Sequence, residues 1–590
     1  MSRRTPERAA EPQLLPMGAR ALLLELPTLE DALTWHAALR TDPLAGQTSA
    51  LAAARTVLLR FATPEDADAA PEALGSREAR RAKKKDGRTR RVEVVYDGED
   101  LEAVARETGL SADEVISAHT GTAWTAAFGG FAPGFVYLSG GDPRLQVPRR
   151  DSPRSRVPAG AVGLAGEFSA IYPQTSPGGW QLIGRTDVTL FDPDRKNPSL
   201  IVPGDTVRFE ATRERVRAGR RSDAAEDSQA PDADGADGSQ TRALSVDPSR
   251  AEAPSGAARL EVLDAGMRTL IEDTGRPGLG DLGITVSGAA DAPSARQANR
   301  LVGNAPGAAV LENLLGGLRV RPHGDLVLAL TGAVGEATIA AFDAEPREDE
   351  SEDEEESEDS SQPRQRRAPL HEPFGLRAGE VLSLGAPASG LRGYLAVRGG
   401  IDAPAQLGSR ASDTLSGLGP RPLGGGDLLS IGEPDPQRSV GSAEAPVTAL
   451  APPDGDSGGV EPAVVRVRPG PRADWAQPDA LLGRTWQIGG SSDRVGARLR
   501  AADGTPPLRR LRTEELRSEG LVAGAIQLPP SGEPVVFLVD HPVTGGYPVI
   551  AVVEEDDLPR LGQLPPGTPL RFEHAEEPGE HAEKTGESGA

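Results

Sequence analysis

Four short segments of this chain follow one pattern: "VPGDTVRF" (Val202–Phe209), "RAGEVLSL" (Arg377–Leu384), "GGGDLLSI" (Gly424–Ile431) and "PPGTPLRF" (Pro565–Phe572). Each places a glycine in a tight turn, then a polar residue, then apolar residues at alternate positions. Glycine reaches the backbone angles such a turn needs, and a period of two builds a half-buried strand. Recurrence of the pattern predicts several small, related β bodies rather than a helical bundle. The turn formers agree, because 70 Gly and 53 Pro in 590 residues punctuate many short strands.

The segments between these markers divide the chain. Residues 1–16 read as a loose, disordered tail. Residues 17–98 form an α/β piece, with strands at "ARALLLEL", "TVLLRFA" and "VEVVYD" and a helix at "TLEDALTWHAALR". Residues 99–212 open with two short helices, for which Gly109 is the expected C′ residue and Ser111–Glu114 a capping box. The Gly/Pro-rich remainder of that segment reads as a β-barrel. The helix pair has the spacing of a helix-turn-helix, but its second helix carries Asp113 and Glu114 and no Arg or Lys, so it is a poor reader of DNA. Residues 213–256 are polar and read as a disordered linker. A second β body covers 257–435, with an acidic disordered insert over 343–369. A linker over 436–462, a last β unit over 463–573 and a disordered tail over 574–590 complete the chain.

The formal net charge of −24 is concentrated, since "EDESEDEEESED" (Glu348–Asp359) alone holds ten acids and no base. Such a block repels itself and stays solvated. Without a basic footprint, no nucleic-acid partner is expected. The N-terminus lacks an apolar signal region, and no apolar run approaches the ~20 residues of a membrane span. A cytoplasmic location is therefore the expectation.

Much chemistry is excluded. With no cysteine there is no disulfide, thiolate metal site or Cys nucleophile. The only lysines are Lys83, Lys84, Lys85, Lys196 and Lys584. None lies in a Walker A loop and none is flanked by methionines, so this chain does not carry its own biotin. No strand-linked G-x-G-x-x-G suggests a dinucleotide fold, H-E-x-x-H is absent, and no G-x-S-x-G forms a nucleophile elbow. Any catalysis rests on Asp, Glu, Arg, Tyr, His and backbone donors.

Two long stretches carry a resemblance. "GFAPGFVYLSGGDPRLQVPRR" (Gly130–Arg150) and "SRVPAGAVGLAGEFSAIYPQTSPGGWQLIGRT" (Ser155–Thr186) resemble the family of allophanate hydrolase subunit 1, KipI and the 5-oxoprolinase B-subunit. The second half resembles the partner family of allophanate hydrolase subunit 2, KipA and the 5-oxoprolinase C-subunit. Its matching pieces are "IEDTGRPGLGDLGITVSGAADAPSARQANRLVGN" (Ile271–Asn304), "LENLLGG" (Leu311–Gly317), "YLAVRGGIDAPAQLGSRASDT" (Tyr394–Thr414), "SSDRVGARL" (Ser491–Leu499) and "SEGLVAGAIQLPPSGEPVVFLVDHPVTGGYPVIA" (Ser518–Ala551). The family's GAMD-like sequence is "GAAD" here (Gly288–Asp291), and the acidic run replaces a short turn.

The resemblance implies a mainly β protein: cyclophilin-like β-barrel domains in a B–C fusion, after an α/β N-terminal piece. It implies an ATP-dependent 5-oxoprolinase component that uses ATP with Mg, works with a separate 5-oxoprolinase A-subunit and opens a cyclic amide. The alternatives it leaves are a biotin-dependent carboxyltransferase acting on urea or a similar amide, and a KipI/KipA-like kinase regulator.

Within the matched motifs, Asp540 follows the strand "VVFLV" and precedes Thr544, Gly545, Gly546 and Tyr547, pairing a base or metal ligand with backbone donors. His541 stands beside it. Arg185 and Arg398 follow apolar strands, where a guanidinium can be aimed at carboxylate or phosphate. Gln181 suits an amide, and Tyr137 is the polar-tipped member of an aromatic trio with Phe131 and Phe135. Asp291, Glu312 and the Asp493–Arg494 pair are further binding candidates. His119, at a helix end where positive charge suits the dipole, and His36 are read as structural.

Overall fold

A computed structural model of the chain describes residues 8–81, 87–150, 152, 154–213, 245–250, 258–341, 365–448, 461–477, 479–502 and 505–575. The acidic run, most of the first linker and the chain ends lie outside the described residues. The rest falls into two compact units. One lies within residues 82–244 and includes Asp281–Gly283; the other gathers 1–81, 245–280 and 284–590.

The second unit begins with a four-stranded sheet whose order is Gln13–Pro16, Ala21–Glu25, Thr56–Phe61, Gln47–Ala52. Two helices cover one face, α1 (Leu29–Thr41) and α2 (Pro64–Gly75), each N-capped by a threonine, Thr28 and Thr63. The run "ALLLE" does not alternate, because both sides of its strand are buried. Leu22 and Leu24 pack with Trp35 and Leu39, while Leu23 and Leu58 pack with Leu521, Val522 and Val552 of the last barrel. Arg472 fastens the same contact by pairing with Glu25 (2.8 Å) and Glu519.

These facts correct the expected boundaries. Residues 8–16 are no loose tail: Gln13–Pro16 pairs with the next strand, and Trp35 Nε1 donates to Ala10 O at 2.8 Å. The expected strand at Val92–Asp97 spans Thr89–Val94 and leaves the α/β piece, running parallel to Thr206–Ala211 in the other unit.

That other unit is a barrel of seven strands. Helices α3 (Leu101–Thr108) and α4 (Ala112–Gly121) are joined through Gly109 at φ 70°, and the capping box of Ser111 and Glu114 is formed. In chain order its barrel strands neighbour one another as 6-4-5-3-2-7-1, and the Val95–Arg185 bridge brings the first beside the sixth. The closed barrel made by Ala463–Pro469 through Pro569–His574 in the larger unit has the same cyclic order, 1-6-4-5-3-2-7. In both, the seventh strand runs parallel to the first and antiparallel to the second.

Between the N-terminal sheet and that closed barrel in sequence lies a body of two sheets, six-stranded and five-stranded, whose apolar faces meet over Leu260, Val262, Leu311, Leu328, Leu382 and Leu395. Helix α5 (Ala292–Leu301) lies on the five-stranded sheet through Ala295, Ala298 and Leu301. Residues 436–448, expected as linker, form a strap over α5: Gly441 N donates to Leu301 O, Arg300 pairs bidentately with Glu444, and Thr448 Oγ1 donates to Asp291. Residues 365–367, expected within the disordered insert, form an edge strand beside Ala337–Ala340. Ser245–Arg250, expected within the first linker, are also placed, with Val246 bridging to Pro420.

Candidate active site

Arg494 is the centre of the larger unit's polar interior. Its guanidinium donates to both oxygens of Asp540 (2.9 and 3.1 Å), to Glu312 Oε1 (2.5 Å) and to Gly288 O (2.6 Å). Each partner is held in turn. Asp540 accepts from Ser287 Oγ (2.6 Å), Thr414 N (3.0 Å) and Thr414 Oγ1 (2.7 Å), and Glu312 Oε2 accepts from Ala290 N and Tyr394 Oη. The Tyr394 hydroxyl also accepts from Asp291 N, so it links Glu312 to the N-cap of α5. Asp291 caps Ser294 and takes Gln563 Nε2 at 2.9 Å.

Burial alone would raise the Asp540 and Glu312 carboxyls, but the Arg494 charge outweighs it and both stay below the usual carboxylate range. Burial likewise opposes the Arg494 charge, and the three carboxylates Asp540, Glu272 and Glu312 raise it well above its ordinary value. Removing one member of such a set strands the rest, at about 3–5 kcal/mol.

Two carboxyls behave oppositely. Glu272, at the end of the strand Arg268–Glu272, is fully buried, lies 3.4 Å from Arg494, and neither of its oxygens has a hydrogen-bond partner among the described residues. Burial pushes it well above the carboxylate range. Asp413 is pushed up to about 6 by burial and by the nearby Asp540 charge. A cavity of about 90 Å³ adjoins this region, lined by Glu272, Asp273, Thr274, Ser287, Arg296 and Asn299 among others.

Four sequence candidates thus meet: Asp540, Glu312, Arg494 and Asp291. Others do not join them. Asp493 and Arg494 are not a pair; Asp493 is not buried with it and accepts from Val495 N and Gly496 N as a turn cap. Tyr547 is exposed, and its carbonyl accepts from Gln527 Nε2. Arg398 donates to Val302 O and Arg438 O, holding the strap. Thr544 and Gly545 pair with Glu519–Gly520, and Gly546 follows in the turn. His541 sits between Pro542 O and Thr285 Oγ1, and burial lowers it to about 3, leaving it neutral.

In the smaller unit Arg185 forms a half-exposed ion pair with Asp97 (2.9 Å). Gln181 is buried with its side chain toward Pro148 O. Tyr137 stacks on Phe128 at 4.3 Å and meets Phe135, Phe168 and Trp180 edge-on, so the aromatic trio of the sequence is part of a packed cluster. The polar centre there is Asp100, taken up by Arg150, Arg154 and Leu182 N; burial raises its carboxyl and these bonds bring it below the usual range. His119 is structural, but not through a helix dipole. Buried between Tyr96 and Ser169 and stacked on Phe209, it is lowered to about 3 and uncharged. His36 is buried in α1 beside Ala50 O.

Glu272, Ser287, Asp413 and Thr414 all lie in the matched stretches but outside the candidates expected from sequence. The readable signal for them is a carboxylate closing an apolar strand, "RTLIE", and the polar pair in "ASDT". A magnesium nucleotide does not fit beside Arg494. The Asp540 and Glu312 oxygens are taken by protein donors, the cavity is below the ~300 Å³ of ordinary ligand sites, and no metal-binding cluster occurs among the described residues. No helix among those residues is long and apolar enough to cross a membrane.

Comparison with known proteins agrees with this layout. The family model "Carboxyltransferase domain, subdomain A and B" matches residues 282–574, and "Carboxyltransferase domain, subdomain C and D" matches 12–201. The chain is 36% identical over 319 residues to the 5-oxoprolinase C-subunit of Escherichia coli K12, covering 53% of this chain and 90% of that one. It is 47% identical over 128 residues to the 5-oxoprolinase B-subunit of Escherichia coli O157:H7, 21% of this chain and 59% of that one. A solved structure, TTHA0988, is similar over 94% of this chain and 99% of its own, at 31% identity and a TM-score of 0.73.

Proposed function

Because the chain belongs to the carboxyltransferase-domain family and joins counterparts of two 5-oxoprolinase subunits, we propose that it is the fused B–C component of an ATP-dependent 5-oxoprolinase. Together with a separate A-subunit it opens the 5-oxoproline lactam to glutamate. The observation that carries the reading is the presence, in one polypeptide, of regions 47% and 36% identical to the B- and C-subunits.

Lactam opening adds water to a weakly electrophilic carbonyl carbon and expels the ring nitrogen, which takes up a proton to become the amine of glutamate. ATP consumption drives the reaction, and no step is assigned to nucleotide at the Arg494 cluster. In this reading Arg494, Asp540 and Glu312 are positioning residues: they fix Ser287 and the N-terminus of α5 against the inner cavity, where a substrate amide is kept from bulk water. Arg185 and Tyr547 receive no catalytic role. The test mixes purified chain with the A-subunit, ATP and 5-oxoproline. ADP and glutamate appear together, and neither above background rejects the reading.

The family models favour one second reading, carboxyl transfer to a small amide from a biotin carrier on another protein. Turnover that requires bicarbonate and is abolished by avidin would select it over lactam hydrolysis.

A further inference from the structure

We propose that the inner cavity at Glu272 and an outer cleft at Arg296 form one binding site for a small acid carrying both a carboxylate and a compact amide. This rests on the lactam reading and assigns its substrate a place.

The outer cleft, about 500 Å³, lies along α5 and the strap and is lined by Pro293, Arg296, Arg300, Asn304 and Arg438 among others. Arg296 and Pro306 line both this cleft and the inner 90 Å³ cavity, so the two adjoin. The cations of the cleft are not equivalent. Arg300 is held by Glu444 at 2.5 and 2.9 Å, and Arg438 lies 3.4 Å from Asp435. Arg296 has no ion-pair partner among the described residues, though it stands at the junction. A free guanidinium offers two parallel N–H donors to a carboxylate.

Past Arg296 the site narrows, which admits an amide or a small ring and excludes a base or a sugar. Glu272 and Ser287 on the wall belong to the Arg494 neighbourhood. The Glu272 carboxyl is buried without a hydrogen-bond partner among the described residues, which is uncommon for a native polar group. In its protonated form it offers one donor and one acceptor, the complement of an amide carbonyl and N–H. A ligand with its carboxylate on Arg296 places its amide in the inner cavity, behind whose wall the buried Glu272 carboxyl lies.

The experiment compares wild type, Arg296→Ala and Arg296→Lys in complex with the A-subunit. Arg296→Ala raises the KM for 5-oxoproline about tenfold or more while kcat stays within about twofold, as expected for loss of a charge-assisted contact made equally before and during reaction. Arg296→Lys recovers part of the loss. Inhibition by 2-pyrrolidinone, the lactam without the carboxylate, is unchanged in both variants. Since Arg296 is exposed, its replacement leaves the unfolding midpoint at the wild-type value. A wild-type complex that turns over 5-oxoproline with an unaltered KM in Arg296→Ala overturns the site but keeps the lactam reading. Should the wild-type complex be inactive, that reading fails, and calorimetric titration of the chain with 5-oxoproline decides the site: heat lost in Arg296→Ala supports it, and no wild-type heat overturns it.

Discussion

Asp413 gives the larger unit a pH response of definite sign. Unfolded, an aspartate titrates near its ordinary value of 3.8, and here it is pushed up to about 6. Between those values the folded chain holds a proton that the unfolded chain has released. Its contribution is therefore complete below pH ~4 and is lost as pH rises through 6, by about 3 kcal/mol at most. Glu272 acts with the same sign, whereas the depressed Asp540 and Glu312 lose stability only as pH falls below the usual carboxylate range. Asp413→Asn keeps an oxygen to accept from Leu415 N and Ser416 N and carries no titrating proton. Urea unfolding at pH 5 and 7.5 should show a weaker fall in stability for this variant than for wild type; equal falls would remove Asp413 as the cause. At this scale the sequence is partly readable. Asp540 and Arg185 both stand out as charges after apolar strands, yet Asp540 is fully buried and Arg185 is half-exposed. What separates them is the neighbouring strand, which spacing along one chain does not reveal.

Among the elements, the four glycine turns are legible because their demand is local. Gly204, Gly379, Gly426 and Gly567 all have positive φ, between 81° and 96°, and each precedes a strand. A Cβ at Gly567 would meet nothing within 4 Å, so Gly567→Ala costs only the backbone conformation, about 1–2 kcal/mol. At Gly399, with φ 98°, the same atom would lie 1.9 Å from Gly432 O, so Gly399→Ala must also displace backbone and costs more. Unfolding midpoints of the two variants check the order; equal losses would contradict it. Helix α2 does not stand out in the sequence although Thr63–Pro64 is a sound N-terminal signal, because its polar body and Pro71 hide the periodicity. The strap over 436–448 has no periodicity at all. Its order comes from Arg300, Gln297 and Asp291 on another element, contacts invisible in its own composition.

For the whole larger unit, the N-terminal sheet is a wall of the last barrel and not an appendage. Met17, Leu23, Leu51 and Leu58 share one apolar cluster with Leu521, Val522, Val543 and Val549. A chain lacking residues 1–81 should bind a hydrophobic dye and elute as aggregates, since a patch of this kind does not stay bare in water. Elution like that of the full chain, with no dye signal, would show that the sheet is dispensable. This association of the two ends of the chain is not readable from sequence, because each strand is patterned for burial without stating its partner.

The placement of the seventh strand between the first and second also fixes when each barrel can close. A ribosome that has delivered six strands has made a curl with an open seam, and the missing stave is the last to leave the exit tunnel. For the final barrel that stave is Pro569–His574. A chain cut before Pro569 would leave the first and second strands facing each other across an unzipped edge, open to pairing with another molecule.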